Sequence, residues 1–250
     1  MVYSGRMNTD NVVIVLVRPE ESRNVGAVCR AMANNDLADL RIVGRREDYD
    51  DERVRILAIH AAPLWEQARF YDSITAATAD CVFSAGTTRR RGKKRVAKLL
   101  LPEEFTKQAA PVTARGKVAA VFGNERTGLT DGEMLECTMG LTIPSSQGFA
   151  SLNLSHAVQI IAYHLFREEA QFSPGSVPIT LDRLDSTVTR IADSLQKIGF
   201  FSITGRSDME RFWREILSRA ALSEGEAAYL EKVFDKAAGL AGKNKGPGAA

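Results

Sequence analysis

Three short clusters in this chain have the residue types and spacing to do chemistry. Asn24, Gly26 and Arg30 stand in "NVGAVCR". Gly123, Asn124, Glu125, Gly128 and Leu129 stand in "FGNERTGL", and Ile143, Ala150, Ser151, Leu152 and Asn153 in "IPSSQGFASLN". Their amides, carboxylate, hydroxyl and guanidinium suit binding and orienting a polar ligand, with glycines where backbone must come close. Arg30 is a poor base, because a guanidinium keeps its proton to a pH of about 12. It suits a charge clamp, or stabilisation of a developing anion.

Familiar alternatives fail on single residues. "GNERTG" has the outer glycines of a phosphate-binding loop, but Leu129 and Thr130 stand where a lysine and a hydroxyl are needed. The turn after the first apolar run holds one glycine and no GxGxxG. There is no GxSxG elbow, and His60, His156 and His164 lack a Ser or Cys partner at a recognisable spacing. His156 and His164 are eight residues apart and miss a metal-binding pair on one helix face. Cys29, Cys81 and Cys137 are odd in number and scattered, as reduced core cysteines are. No metal is expected.

The elements that must position these clusters alternate. Apolar runs at 11–17, 39–44, 81–86, 117–123 and 140–144, with a weaker one at 68–74, read as strands buried on both faces. Helical patterns fall between them, at 22–36, 51–59, 101–108 and 131–137. The class is therefore α/β with a mostly parallel sheet. Each cluster follows a strand, which puts all three at the carboxyl ends, where open parallel sheets bind ligands.

A long helix is expected over 151–172, with Leu154, Val158, Ile161 and Leu165 as its buried stripe. The segment 173–180 reads as a linker and 181–240 as a helical extension. Within the extension, Ser207 and Ser223 each stand where a helix cap is expected. The Gly-rich end, 241–250, reads as a disordered tail, and the opening "MVYSGRM" as a fraying end.

Net charge is only +2, yet "RRRGKKR" at 89–95 puts six cations in seven positions. So dense a block is a solvated loop or an anion-binding surface, and a phosphate-rich partner is the better reading. No apolar run is long enough to span a bilayer and no leader is visible, so a cytoplasmic protein is expected.

Taken in order, the three clusters resemble the three motifs of the SpoU branch of the SPOUT methyltransferases. They resemble in particular those of the TrmJ-like tRNA ribose 2′-O-methyltransferases. The likeness runs over roughly residues 10 to 240. The spacing between Ile143-Pro144 and Ser151-Leu152-Asn153 is longer than the commoner SpoU form and fits this subgroup.

The resemblance implies a fold with a C-terminal trefoil knot over residues 8–172, a homodimer, and S-adenosylmethionine as cofactor. It implies that Thr87, Thr88, Arg89, Gly123, Asn124, Gly128, Leu129, Ile143, Ala150, Ser151 and Leu152 hold the cofactor. Arg30 is then the central catalytic residue, assisted by Asn24, Glu125, Ser151 and Asn153. Asn24 is expected to orient Arg30 or the substrate, Glu125 to pair with Arg126 or a partner subunit, and Ser151 and Asn153 to cap the long helix. Arg90, Arg91, Lys93, Lys94 and Arg95 would draw in RNA phosphates. The implied substrate is tRNA, at the first nucleotide of the anticodon loop, a cytidine or uridine. Another structured RNA such as rRNA, and an RNA-binding module that has lost catalysis, are the alternatives. A small-molecule methyltransferase is disfavoured by the basic run.

Overall fold

The computed structural model describes residues 3–89, 99–149, 151–172, 177–202 and 205–243. They fall into two compact units that divide after Gly175. Arg90, Arg91, Lys93, Lys94, Arg95 and Ala150 lie outside the described residues, as do 173–176 and 244–250.

The first unit runs β1 (Tyr3–Arg6), β2 (Val12–Val17), α1 (Ser22–Ala33), β3 (Asp39–Val43), α2 (Asp51–Ala58), α3 (Ala62–Glu66), β4 (Arg69–Tyr71) and α4 (Ile74–Ala77). It continues with β5 (Cys81–Thr87), β6 (Leu99–Leu100), α5 (Pro102–Thr113), β7 (Lys117–Phe122), α6 (Asp131–Glu136), β8 (Met139–Leu141), α7 (Leu154–Arg167) and β9 (Glu169–Phe172). Seven strands form one sheet in the order β4-β3-β2-β7-β5-β8-β6, and every pairing in it is parallel. All six residues of β2, "VVIVLV", are buried, as a β-branched run covered by helices on both faces must be. The three cysteines are free and buried. Burial pushes the Cys29 and Cys81 thiols up to about 12, so neither is a nucleophile at neutral pH.

The structure departs from expectation at the ends of elements. Residues 3–6 do not fray; β1 pairs antiparallel with β9. That pairing also shortens the long helix, which begins at Leu154 and ends at Arg167 before the backbone extends at Glu168. The strand expected to reach Pro144 stops at Leu141, and proline has no N–H to continue a ladder. β6 is a two-residue edge strand with too little pattern to be read from sequence.

The amino ends of the strands are fastened by charge. Arg41 on β3 is 1% exposed, pairs with Asp39 and Asp80, and donates to the Ala77 carbonyl at 2.7 Å. Arg69 and Lys117 reach Asp39 from β4 and β7 at 2.6 and 2.9 Å. Burial works against ionisation of Asp39, but hydrogen bonds from Arg41, Arg69 and Lys117 outweigh it and hold the carboxyl well below the usual range. Asp80 is lowered too, its desolvation overcome by Arg41 and Lys117. A depressed carboxylate gives stability above its unfolded pKa, near 4, that is lost as pH falls below it. Followed by Trp65 fluorescence in a Trp213→Phe background, urea unfolding should weaken steeply below about pH 4. Asp39→Asn should cost about 3 kcal/mol at pH 7 and flatten that acid limb.

The second unit is helical, with α8 (Leu181–Lys197), α9 (Arg206–Ala220) and α10 (Glu224–Lys243). Leu184, Val188 and Ile191 of α8 are buried, and Glu231 of α10 pairs with Arg183 and Arg190. Ser223 and Glu226 cap α10 reciprocally. Ser207 does not cap its helix, because α9 starts one residue earlier behind Gly205. α10 continues to Lys243, into the stretch expected as tail.

Candidate active site

At the carboxyl ends of β5, β7 and β8 lies a cleft of about 190 Å³. Thr87, Thr88 and Arg89 line it after β5, Gly123 to Leu129 after β7, and Thr142 and Ile143 after β8. Ser151, Leu152, Leu154 and Ala157 close it from the start of α7, with the buried Phe122 and Leu141 beneath it at the strand ends.

The β7 loop is folded tightly on itself. The Gly128 amide donates to the Asn124 carbonyl at 2.8 Å, and Gly128 has φ +65°, a conformation that favours glycine. A Cβ on Gly123 would sit 2.2 Å from the Gly128 carbonyl carbon and 2.3 Å from the Leu129 nitrogen. The close approach at Gly123 is therefore between two parts of the loop. At Gly26 it is between helices, since a Cβ there would lie 2.1 Å from the Val54 carbonyl oxygen of α2.

Side chains then tie this loop to the other two clusters. Glu125 accepts from the Glu20 amide at 2.8 Å and the Glu21 amide at 3.4 Å, capping α1, whose own cap residue makes no side-chain bond. Glu125 also accepts from the Asn24 side-chain Nδ2 at 2.9 Å, while the Asn153 Nδ2 donates to Asn24 Oδ1 at 3.0 Å. Asn153 caps α7 by accepting from the Ser155 amide at 2.8 Å. Asn124 donates to the Arg18 carbonyl at 3.0 Å and to Glu20 at 3.1 Å. Arg18, itself at φ +45°, pairs with the buried Glu133, whose carboxylate accepts from the Thr130 amide at 2.7 Å. One hydrogen-bonded web thus fixes the cleft wall from β2 to α7.

Of the candidate cofactor residues, all but Ala150 line the cleft, Ala150 being outside the described residues. Glu125 and Ser151 line it as well, and Asn24 and Asn153 are bonded to its rim. Arg30 does not line it; it is exposed further along α1. Two expected pairings are replaced. Asn24 binds Glu125 and Asn153 rather than Arg30, and Arg126 pairs with Glu20 at 2.7 Å rather than with Glu125. The cap expected from Asn153 on α7 is present, while Ser151 stays exposed outside it. Sequence reasoning missed Phe122, Leu141, Leu154 and Ala157 as lining residues, because their strand and helix patterns read as pure core. Among the described residues no group of three or more His, Cys, Asp or Glu side chains could hold a metal. No described helix is long and apolar enough to cross a membrane.

Comparison with known proteins gives this cleft its context. Residues 11–163, which carry all three clusters, match the SpoU rRNA Methylase family. The chain belongs to that family. It is 32% identical over 233 residues to the tRNA (cytidine/uridine-2′-O-)-methyltransferase TrmJ of Pectobacterium atrosepticum, covering 90% of this chain and 95% of that one. It is 30% identical to the tRNA (cytidine/uridine/adenosine-2′-O-)-methyltransferase TrmJ of Pseudomonas aeruginosa, covering 90% and 93%. The crystal structure of TrmJ from Z. mobilis superposes with a TM-score of 0.74 at 29% identity, over 90% of this chain and 98% of that one. The span matched to the family thus includes every residue that lines the cleft.

Proposed function

We propose that this chain transfers a methyl group from S-adenosylmethionine to a ribose 2′-hydroxyl of tRNA, at the first nucleotide of the anticodon loop, as a cytoplasmic homodimer without a metal. The observation that carries this reading is the line Glu125–Asn24–Asn153, which fastens all three motif loops around one cleft in a SpoU chain. The two tRNA 2′-O-methyltransferases named above, similar over 90% of this chain, supply the substrate class. The reading includes the family's trefoil knot. It keeps residues 8–172 as the methyltransferase domain, 173–180 as linker and 181–240 as a helical extension.

The lining fits such a cofactor. Ile143, Leu152 and Ala157 offer apolar surface to a purine over the buried Phe122, Leu141 and Leu154, and Thr87, Thr88, Ser151 and the β7 loop offer polar partners to hydroxyl and charged groups. Once bound, S-adenosylmethionine supplies an electrophilic methyl carbon on a sulfonium. Arg30 clamps the phosphate beside the target ribose and favours the alkoxide, and the hydroxyl proton passes to water or a phosphate oxygen. Arg30 does not line its own chain's cleft, which favours a role at the cleft of the second copy in the homodimer of this reading. Arg89, at the cleft wall, begins the basic run that guides RNA to it.

Incubation with methyl-labelled S-adenosylmethionine and bulk tRNA, with rRNA in a parallel reaction, followed by mapping of the labelled nucleotide, tests this. Label on a 2′-oxygen in the anticodon loop is expected. Label on rRNA alone would redirect the substrate, and cofactor binding with no labelled RNA would mark a silent RNA-binding module.

A further inference from the structure

Phe149 is 81% exposed, the most exposed large apolar side chain among the described residues. Nothing about folding asks for a phenylalanine there, because it buries almost none of its ring. Its position is specific. The loop of residues 144–149 is exposed throughout and leads from Ile143, on the cleft wall, to Ser151, on the same wall. Two chain steps separate Phe149 from Ser151, so their Cα atoms lie within about 7.6 Å. Arg89 and Arg126 belong to the lining of the same cleft, Arg126 in an ion pair with Glu20. Guanidinium groups and a bare aromatic ring at one cleft rim are the elements with which proteins hold unstacked nucleotides, the cations on phosphate and the ring against the base.

We propose that Phe149 is the stacking platform for the base of the nucleotide whose ribose is methylated. The proposal rests on the RNA-methylation reading and adds the residue that holds the base. A ring stacks on any base face and reads no hydrogen-bond edge, so Phe149 fixes the ribose without choosing between cytosine and uracil. Phe149 is a positioning residue. It moves no proton and touches no cofactor atom.

The test pairs a side-chain deletion with a base deletion. Phe149→Ala should lower kcat/KM for tRNA by about 10- to 100-fold, equally for a cytidine and a uridine target, with cofactor affinity unchanged. Phe149→Tyr should restore most of the loss. On an anticodon stem-loop whose target nucleotide lacks its base, wild type and Phe149→Ala should perform alike, which a merely structural role would not produce. A binding arm needs no catalysis: Phe149→Trp should gain fluorescence that the stem-loop quenches, beyond any change in wild type. Full activity in Phe149→Ala, a penalty that persists on the baseless substrate, absent quenching, or dissociation of a dimer would each overturn the proposal. Quenching without methyl transfer by wild type would instead sink the methylation reading and leave Phe149 only as an RNA contact.

Discussion

Arg30→Ala should lower methyl transfer to tRNA by about 10²–10³-fold, the scale of losing one charged donor at a developing oxyanion. Cofactor affinity should not change, since Arg30 is assigned to the RNA phosphate and the cofactor's own residues are intact. The helix should not suffer either, because Arg30 is exposed and α1 packs through Val25, Val28, Cys29 and Met32. Arg30→Lys should fail almost as badly. An ammonium keeps the charge but loses the planar fork that grips two phosphate oxygens. Single-turnover rates on saturating cofactor, with calorimetric cofactor affinities beside them, check both statements. Substantial activity in Arg30→Lys would leave the clamp without support.

Gly123→Ala should lower cofactor affinity by at least about 100-fold, from overpacking of 1–3 kcal/mol plus about 1 kcal/mol for each loop hydrogen bond lost. The added Cβ meets backbone at 2.2 and 2.3 Å, and backbone cannot swing aside as a side-chain tip can. The loop that carries Asn124 and Glu125 must lift, and with it the contacts to Arg18, Glu20 and Asn24. Gly128→Ala is the control. No atom lies within 4 Å of its added Cβ, so only the cost of the left-handed backbone applies, about 1 kcal/mol. Isothermal titration with S-adenosylmethionine should rank wild type, then Gly128→Ala, then Gly123→Ala. The two defects should also complement each other. If Arg30 acts across a dimer, mixing and re-equilibrating Arg30→Ala with Gly123→Ala should restore roughly a quarter of wild-type activity, half the dimers being mixed and each holding one working cleft of two. If Arg30 acts within its own chain, the mixture stays inactive.

Much of this was legible in the residues. The β-branched runs announced a parallel sheet, and the polar clusters behind three of them announced where a ligand would sit. What sequence left out was partner choice. Glu125 beside Arg126 invites a local pair, but the fold brings two amides and Asn24 from about a hundred residues away, and these compete better for the carboxylate. Gly26 reads as a point of close approach to a ligand until α2 is packed against it. Nothing local in 3–6 or 169–172 specifies that they pair, because strand pairing over such a separation is decided by the rest of the fold. Arg41 likewise looks like a break in a core strand until Asp39, Asp80, Arg69 and Lys117 surround it.

That ionic knot of side chains has an evolutionary consequence. It secures the sheet from one end, while the candidate cleft lies at the opposite end. A lineage can therefore rewrite the rim, lengthening a loop or exchanging an aromatic, and inherit a scaffold whose robustness does not depend on what the rim has become. Diversification of target choice among such enzymes is cheapest where the anchoring is farthest away.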